Sequence, residues 1–120
     1  VLGFAPRRDA EAHVADLAGE IRTALAIACV VVHPRRSAAA ATSDGTAWFA
    51  GPFIEHPTIS TGAGDHFNAG FCLGRMLGLS AEECLCAGVA TSGYYVRTAQ
   101  SPTVAQLAEF VARLPAPQVS

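Results

Sequence analysis

The stretch that decides how this chain folds is Ser60-Thr61-Gly62-Ala63-Gly64-Asp65-His66-Phe67-Asn68-Ala69-Gly70-Phe71. Two glycines separated by one alanine stand directly before a helical pattern of apolar residues. Glycine lets the backbone turn so that successive N–H groups point to one place, and a helix N-terminus adds roughly half a positive charge. We therefore expect an anion-binding hole made by the backbone of Gly62, Ala63 and Gly64.

Asp65 follows this predicted hole, in the first turn of the helix. A carboxylate there can accept a proton from a hydroxyl while the N–H groups stabilise a migrating phosphoryl group. Two plainer interpretations were weighed against this one. A G-x-G-x-x-G dinucleotide motif fails, because it would need glycine where Phe67 stands. The second interpretation stays open: an Asp at a helix N-terminus is often only a cap.

Helix and strand patterns alternate around this segment. The apolar stripe of Val14, Leu17, Ile21 and Leu25 predicts a helix over 9–25. Residues 27–32 are typical of a strand buried on both faces, as in a parallel sheet. Residues 38–42 and 46–50 predict a hairpin around 43–45, and we attribute the alanine run within it to compositional bias. The fold class is α/β.

Three helices are predicted in the second half of the chain. The first runs from Asp65 to a stop at Gly78. Capping boxes open the other two, at residues 80–83 and 103–106, and Pro115 and Pro117 end the last one. We interpret Tyr94, Tyr95 and Trp48 as packing residues.

The composition excludes several kinds of protein. All eight basic residues among the 120 are Arg, so no lysine-dependent phosphate loop, Schiff base or protein-kinase site is complete within this sequence. The net charge of −2 disfavours nucleic-acid binding. No stretch is long and apolar enough to cross a bilayer, so we expect no membrane partner and a cytoplasmic location. The four cysteines show no zinc spacing and are expected to be small buried residues.

The segment 61–71 resembles the C-terminal signature of the ribokinase-like (PfkB) carbohydrate kinases, and the order of elements around it is similar. The resemblance implies a three-layer α/β/α fold, ATP with Mg²⁺ held through its phosphates, and a sugar or nucleoside-like substrate. It gives Asp65 the role of catalytic base in contact with the substrate, and Gly62, Ala63 and Gly64 the role of anion hole. It is compatible with a homodimer.

The same resemblance suggests where the nucleotide is held. The family's Thr-x-Gly loop aligns with His33-Pro34-Arg35, so Arg35 or Arg36 is a candidate phosphate contact, with a solvated loop charge as the alternative. Val89 is the candidate adenine contact, and core packing explains it equally well. His66 and Arg97 could each contact a ligand, but packing or a surface role is as consistent with the sequence.

Two further expectations come from departures and gaps in the resemblance. Ile59 and Thr98 stand where relatives that bind a monovalent cation have other residues, which weakens any claim to that ion; no metal ligand is predicted. The family's N-x-x-E motif and sugar-binding half are missing, so we expect residues 1–120 to be the nucleotide-binding part of a kinase, inactive alone. A non-catalytic nucleotide-binding or regulatory relative is the alternative.

Overall fold

The computed structural model describes residues 10–116, and these form four helices and three strands. In chain order they are α1 (Ala10–Leu25), β1 (Val30–Val32), β2 (Ser37–Thr42), β3 (Gly45–Ala50), α2 (Ala63–Met76), α3 (Ala81–Thr98) and α4 (Val104–Ala112). Each predicted helix and the hairpin are present. The predicted start of the first helix at Asp9, and Pro117, lie outside the described residues.

The three strands form one sheet in the order β1-β2-β3. β2 and β3 are the predicted hairpin, in which Thr42 pairs with Gly45 across a two-residue turn. β1 also pairs antiparallel with β2, with Val31 opposite Ala40. Within residues 10–116 no strand has a parallel neighbour.

The prediction of a parallel-type strand buried on both faces at residues 27–32 is therefore wrong for the described part of the chain. Ala26 takes a left-handed conformation with φ of 52°, and Ile27 after it is 45% exposed. The strand begins only at Val30, which is buried, and Val31 is half-buried. An apolar run indicates burial, but it does not encode the direction of the neighbouring strand.

The strand buried on both faces is instead β2, the alanine run that we had attributed to compositional bias. Ala38 and Ala40 pack against Phe67, Phe71, Leu85 and Val89 of α2 and α3. Ala39 and Ala41 face α1 on the opposite side. Because alanine side chains are small, helices can approach both faces of β2 closely.

α2 and α3 pack closely because glycines stand where they meet. A Cβ on Gly70 would lie 2.5 Å from the Ala87 carbonyl, and a Cβ on Gly88 would lie 2.7 Å from the Phe67 ring. No side chain larger than hydrogen fits at either place without movement. This packing joins the second turn of α2 to the middle of α3.

The helix ends follow the sequence signals. Ser80 and Thr103 both form complete capping boxes, with Glu83 and Gln106 as their partners. Gly78 follows α2 with φ of 75°, the left-handed conformation expected after a helix end. None of the helices described between residues 10 and 116 could cross a membrane.

The four cysteines differ in their exposure to solvent. Cys84 is fully buried, and burial raises the pKa of its thiol and of the Cys86 thiol. Cys29 and Cys86 are half-buried, whereas Cys72 is exposed. The prediction that all four are buried is therefore wrong, because Cys72 lies on the outer face of α2.

Candidate active site

The first turn of α2 begins two residues earlier than predicted. Gly62 is the N-cap, with φ of 93°, and has no side chain to cap the helix. The Ala63 N–H donates to the Ser60 carbonyl at 3.1 Å. The first N–H groups of a helix have no acceptor within it, so the N–H groups of Gly62, Gly64 and Asp65 are the candidates to serve an anion, and that they bind one stays a prediction.

Hydrogen bonds from Tyr95 and from His66 hold the turn that precedes α2. The Tyr95 hydroxyl donates to the Thr61 carbonyl at 2.9 Å. The Gly62 carbonyl accepts from the backbone N–H of His66 at 3.1 Å, and the His66 Nδ1 lies 2.8 Å from the same oxygen. The interpretation of Tyr95 as a packing residue therefore misses its hydrogen bond, whereas Tyr94 packs edge-to-face on Phe110 as expected.

A cavity of about 370 Å³ opens beside this turn, within the size range of small-molecule sites. Four of the predicted site residues line it: Arg35, Ala63, Gly64 and Val89. Its other walls come from the loop after β1, the segment after β3 and the second half of α3, including Ser92 and Gly93. Val89 is 3% exposed and also belongs to the core, which confirms the packing interpretation, whereas its contact with adenine stays a prediction.

His33 lines the same cavity, in the loop that follows β1. Its imidazole stacks on the Phe67 ring, with 3.9 Å between the ring centroids and 17° between the planes. Burial lowers the pKa of His33 below its ordinary value, so the ring is neutral at pH 7. The predicted nucleotide loop thus offers a flat neutral ring in place of a threonine.

The arginines near the cavity have different surroundings. The Arg36 guanidinium lies over the Phe53 ring, 4.1 Å from its centroid, whereas Arg35 is 5.7 Å from that ring and lines the cavity. Arg97 donates to the carbonyls of Gly93 and Pro52 at 3.0 and 2.7 Å. Arg97 is therefore engaged in holding the segment after β3 against α3, whereas Arg35 lines the cavity and its contact with a ligand stays a prediction.

Asp65 is exposed and lies on the other side of the helix start. It lines a second cavity of about 260 Å³ with His66, Ala69, Thr91, Ser101 and Pro102. The first turn of α2 thus separates two cavities, with Gly64 on one side and the carboxylate on the other.

The residues aligned with a monovalent-cation site are engaged in local hydrogen bonds. The Val96 carbonyl accepts from the N–H groups of Thr58 and Ile59 at 2.8 and 3.3 Å. The Thr98 hydroxyl donates to the Tyr94 carbonyl at 2.9 Å. Weak or absent binding of a monovalent cation stays a prediction.

Comparison with known proteins assigns the family. The family model for prokaryotic ketohexokinase matches residues 5–114. The chain belongs to the prokaryotic ketohexokinase family. The predicted resemblance to PfkB-like sugar kinases is thereby confirmed.

Two relatives of this ketohexokinase-family chain illustrate the match. A ketohexokinase of Haloferax volcanii is 42% identical over 66 residues, which are 55% of this chain and 18% of that protein. A solved structure from Enterococcus faecalis, described as a 2-keto-3-deoxygluconate kinase, superposes with a TM-score of 0.64 and 18% identity over 99% of this chain. It shows that the fold is shared. This chain spans 38% of that structure's chain, so it covers well under two thirds of either relative.

Several contacts at the site could not be found from the sequence. Tyr95 reaches Thr61 across 34 positions, and His33 meets Phe67 only through the packing of the β1 loop on α2. The contact of His66 with Gly62 had a local signal, because residues four positions apart in a helix are neighbours. This spacing places the His66 side chain beside the Gly62 carbonyl, one helical turn earlier.

Proposed function

We propose that the protein containing this chain is an ATP-dependent kinase that phosphorylates a hydroxyl of a keto sugar. The observation that carries the proposal is the first turn of α2, in which Gly64 lines a 370 Å³ cavity and Asp65 lines a second one. The keto-sugar substrate class is taken from the name of the family and of the Haloferax volcanii relative.

The chemistry assigned to this turn is in-line phosphoryl transfer. Asp65 accepts the proton of the substrate hydroxyl, whose oxygen bonds to the γ-phosphorus as the bond from that phosphorus to the β-phosphate oxygen breaks. ADP leaves with the bonding electron pair. The backbone amides at the start of α2, within the segment 62–65, stabilise the charge on the phosphoryl oxygens.

The remaining candidates are assigned to the nucleotide. Arg35 lines the larger cavity and carries the positive charge that phosphates require. Val89 offers an apolar wall, and the stacked His33 ring a flat neutral one, both suited to a purine. Mg²⁺ would enter on the phosphates of ATP. The sugar pocket would be completed by residues outside this sequence, and residues 1–120 alone would be inactive.

Asp65→Asn tests the proposal in the full-length protein. Removing the base should lower kcat by about 10²–10⁴-fold while the thermal midpoint stays near that of the parent, because Asp65 is exposed. The measurement is ADP release with Mg-ATP and a panel of ketoses. Asp44→Asn, at an exposed position of the β2–β3 turn, is the matched control and should keep full activity.

The outcomes separate the two readings of the sequence. Wild-type turnover by Asp65→Asn would remove the base assignment. A parent protein that binds ATP but phosphorylates no ketose would favour the non-catalytic relative.

A further inference from the structure

We infer that His66 is a positioning residue, which aims the first-turn amides of α2 and the Asp65 carboxylate through its imidazole. The inference rests on the proposed function, because Asp65 must be the base for its orientation to matter. The imidazole does not need to contact substrate or nucleotide. It acts on the backbone that carries those groups.

The imidazole of His66 has a partner at each ring nitrogen and on one face. Nδ1 lies 2.8 Å from the Gly62 carbonyl, and Nε2 lies 2.7 Å from the Ser101 hydroxyl. The ring stacks on Tyr95, with 3.7 Å between centroids and 12° between planes. Three contacts of this kind fix both the position and the plane of the ring.

The hydrogen-bond chemistry assigns the proton. A carbonyl oxygen can only accept, so Nδ1 of His66 carries the hydrogen in the bond to Gly62. In the neutral ring Nε2 is then an acceptor, and the Ser101 hydroxyl donates to it. In this arrangement Ser101 donates a hydrogen bond to His66, and His66 donates one to the Gly62 carbonyl.

This chain sets the direction of the peptide groups before the helix. The Gly62 carbonyl receives two hydrogen bonds from His66, which fix the plane of the Gly62–Ala63 peptide. The Thr61 carbonyl is held by Tyr95, the residue on which His66 stacks. Gly62 has no side chain and a positive φ, so its own conformational restraint is weak. The directions of the Gly64 and Asp65 amides follow from these two fixed peptide planes.

The test compares variants at His66 and Ser101 in the full-length protein, with kcat and the KM for ATP as readouts. His66→Phe keeps a ring for stacking but loses both hydrogen bonds, and should lower kcat by about tenfold or more with little change in the KM for ATP. His66→Asn places an amide N–H where Nδ1 stood, and should recover most of kcat. Ser101→Ala should lower kcat in the parent and have no effect in the His66→Asn background.

His56→Phe, the same change at an exposed histidine, is the control and should keep the parent's kcat. Unchanged kcat in His66→Phe would overturn the inference. Equal losses of kcat in His66→Asn and His66→Phe would also overturn it, and so would an equal effect of Ser101→Ala on kcat in the parent and in His66→Asn. A merely structural role predicts both of these results. If Asp65→Asn is active, the proposed function fails; if Asp65→Asn is inactive and His66→Phe is active, only the positioning role fails.

Discussion

Position 62 requires glycine for two separate reasons, its backbone conformation and the close approach of Tyr95. Its φ of 93° belongs to the left-handed region, which costs other residues about 1–3 kcal/mol. A Cβ there would also lie 3.1 Å from the Tyr95 hydroxyl oxygen, the group that holds the turn before α2. A side chain at position 62 would therefore strain the backbone and push against the contact that supports the site.

Gly62→Ala should lower both the thermal midpoint and kcat. The matched control is Gly78→Ala, which has a similar φ of 75° but no neighbour within 4 Å of its Cβ. Both variants should lose stability from backbone strain, and only Gly62→Ala should lose activity. Equal activity of the two variants in the ADP-release assay would contradict this.

His33 makes the fold sensitive to acid. Its pKa is held below the ordinary value by burial, so the unfolded chain binds a proton at His33 more readily than the folded chain does. The stability that the neutral ring contributes is present above about pH 6.5 and is lost as pH falls through that value toward the folded pKa.

His33→Phe should reduce this loss, because a phenyl ring can stack on Phe67 without titrating. The thermal midpoint of the parent should fall between about pH 7.5 and about pH 5.5, and that of His33→Phe should fall less. His56→Phe, which changes an exposed loop histidine, should retain the parent's difference. An identical fall in all three proteins would rule out His33 as the cause.

At the scale of elements, the contact between α2 and α3 depends on a missing side chain at Gly70. A Cβ there would collide with Thr91 and lie 2.5 Å from the Ala87 carbonyl, which is backbone and cannot turn away. This contact lies in the second turn of α2, directly after the turn that carries the candidate site. Gly19 in the middle of α1 has ordinary space around it, with Thr46 Cγ2 at 3.8 Å.

Gly70→Ala and Gly19→Ala should therefore have opposite effects. The first overpacks the interface and should destabilise by about 1–3 kcal/mol. The second places a better helix former in an open position and should stabilise by up to about 1 kcal/mol. Denaturant unfolding of both variants measures the difference, and a stabilised Gly70→Ala would contradict the close packing of these helices.

At the scale of the whole molecule, the candidate site exists because four separate parts of the chain meet, one of which is the segment after β3 with Pro52 and Phe53. The loop after β1 brings His33 and Arg35, α2 brings Ala63 and Gly64, and α3 brings Val89. None of these parts encloses a cavity by itself. The sheet and the α2–α3 contact set their spacing, so the cavity is a property of the assembled layers.

Much of this assembly was predictable from local patterns. Helix periodicity, both capping boxes and the hairpin depend on neighbouring residues, and all are present in the structure. The strand predictions were weaker. The predicted strand over residues 27–32 begins too early. The importance of the alanines of β2 for the core is not evident from the sequence, because alanine has little β-propensity of its own. Burial on both faces makes those alanines a central strand, and burial depends on the rest of the fold.

The family signature, the presence of a helix after Gly64 and the carboxylate in its first turn can be predicted from the sequence alone, because each depends on residues within a few positions of one another. Only the tertiary structure decided that Tyr95 and Ser101 support that turn through Thr61 and His66. It also decided that the Ala63 N–H is already occupied by Ser60. The physical reason is that hydrogen bonds and stacking require atoms to be within a few ångströms, and residues 34 or 35 positions apart reach that distance only after α2 and α3 have packed.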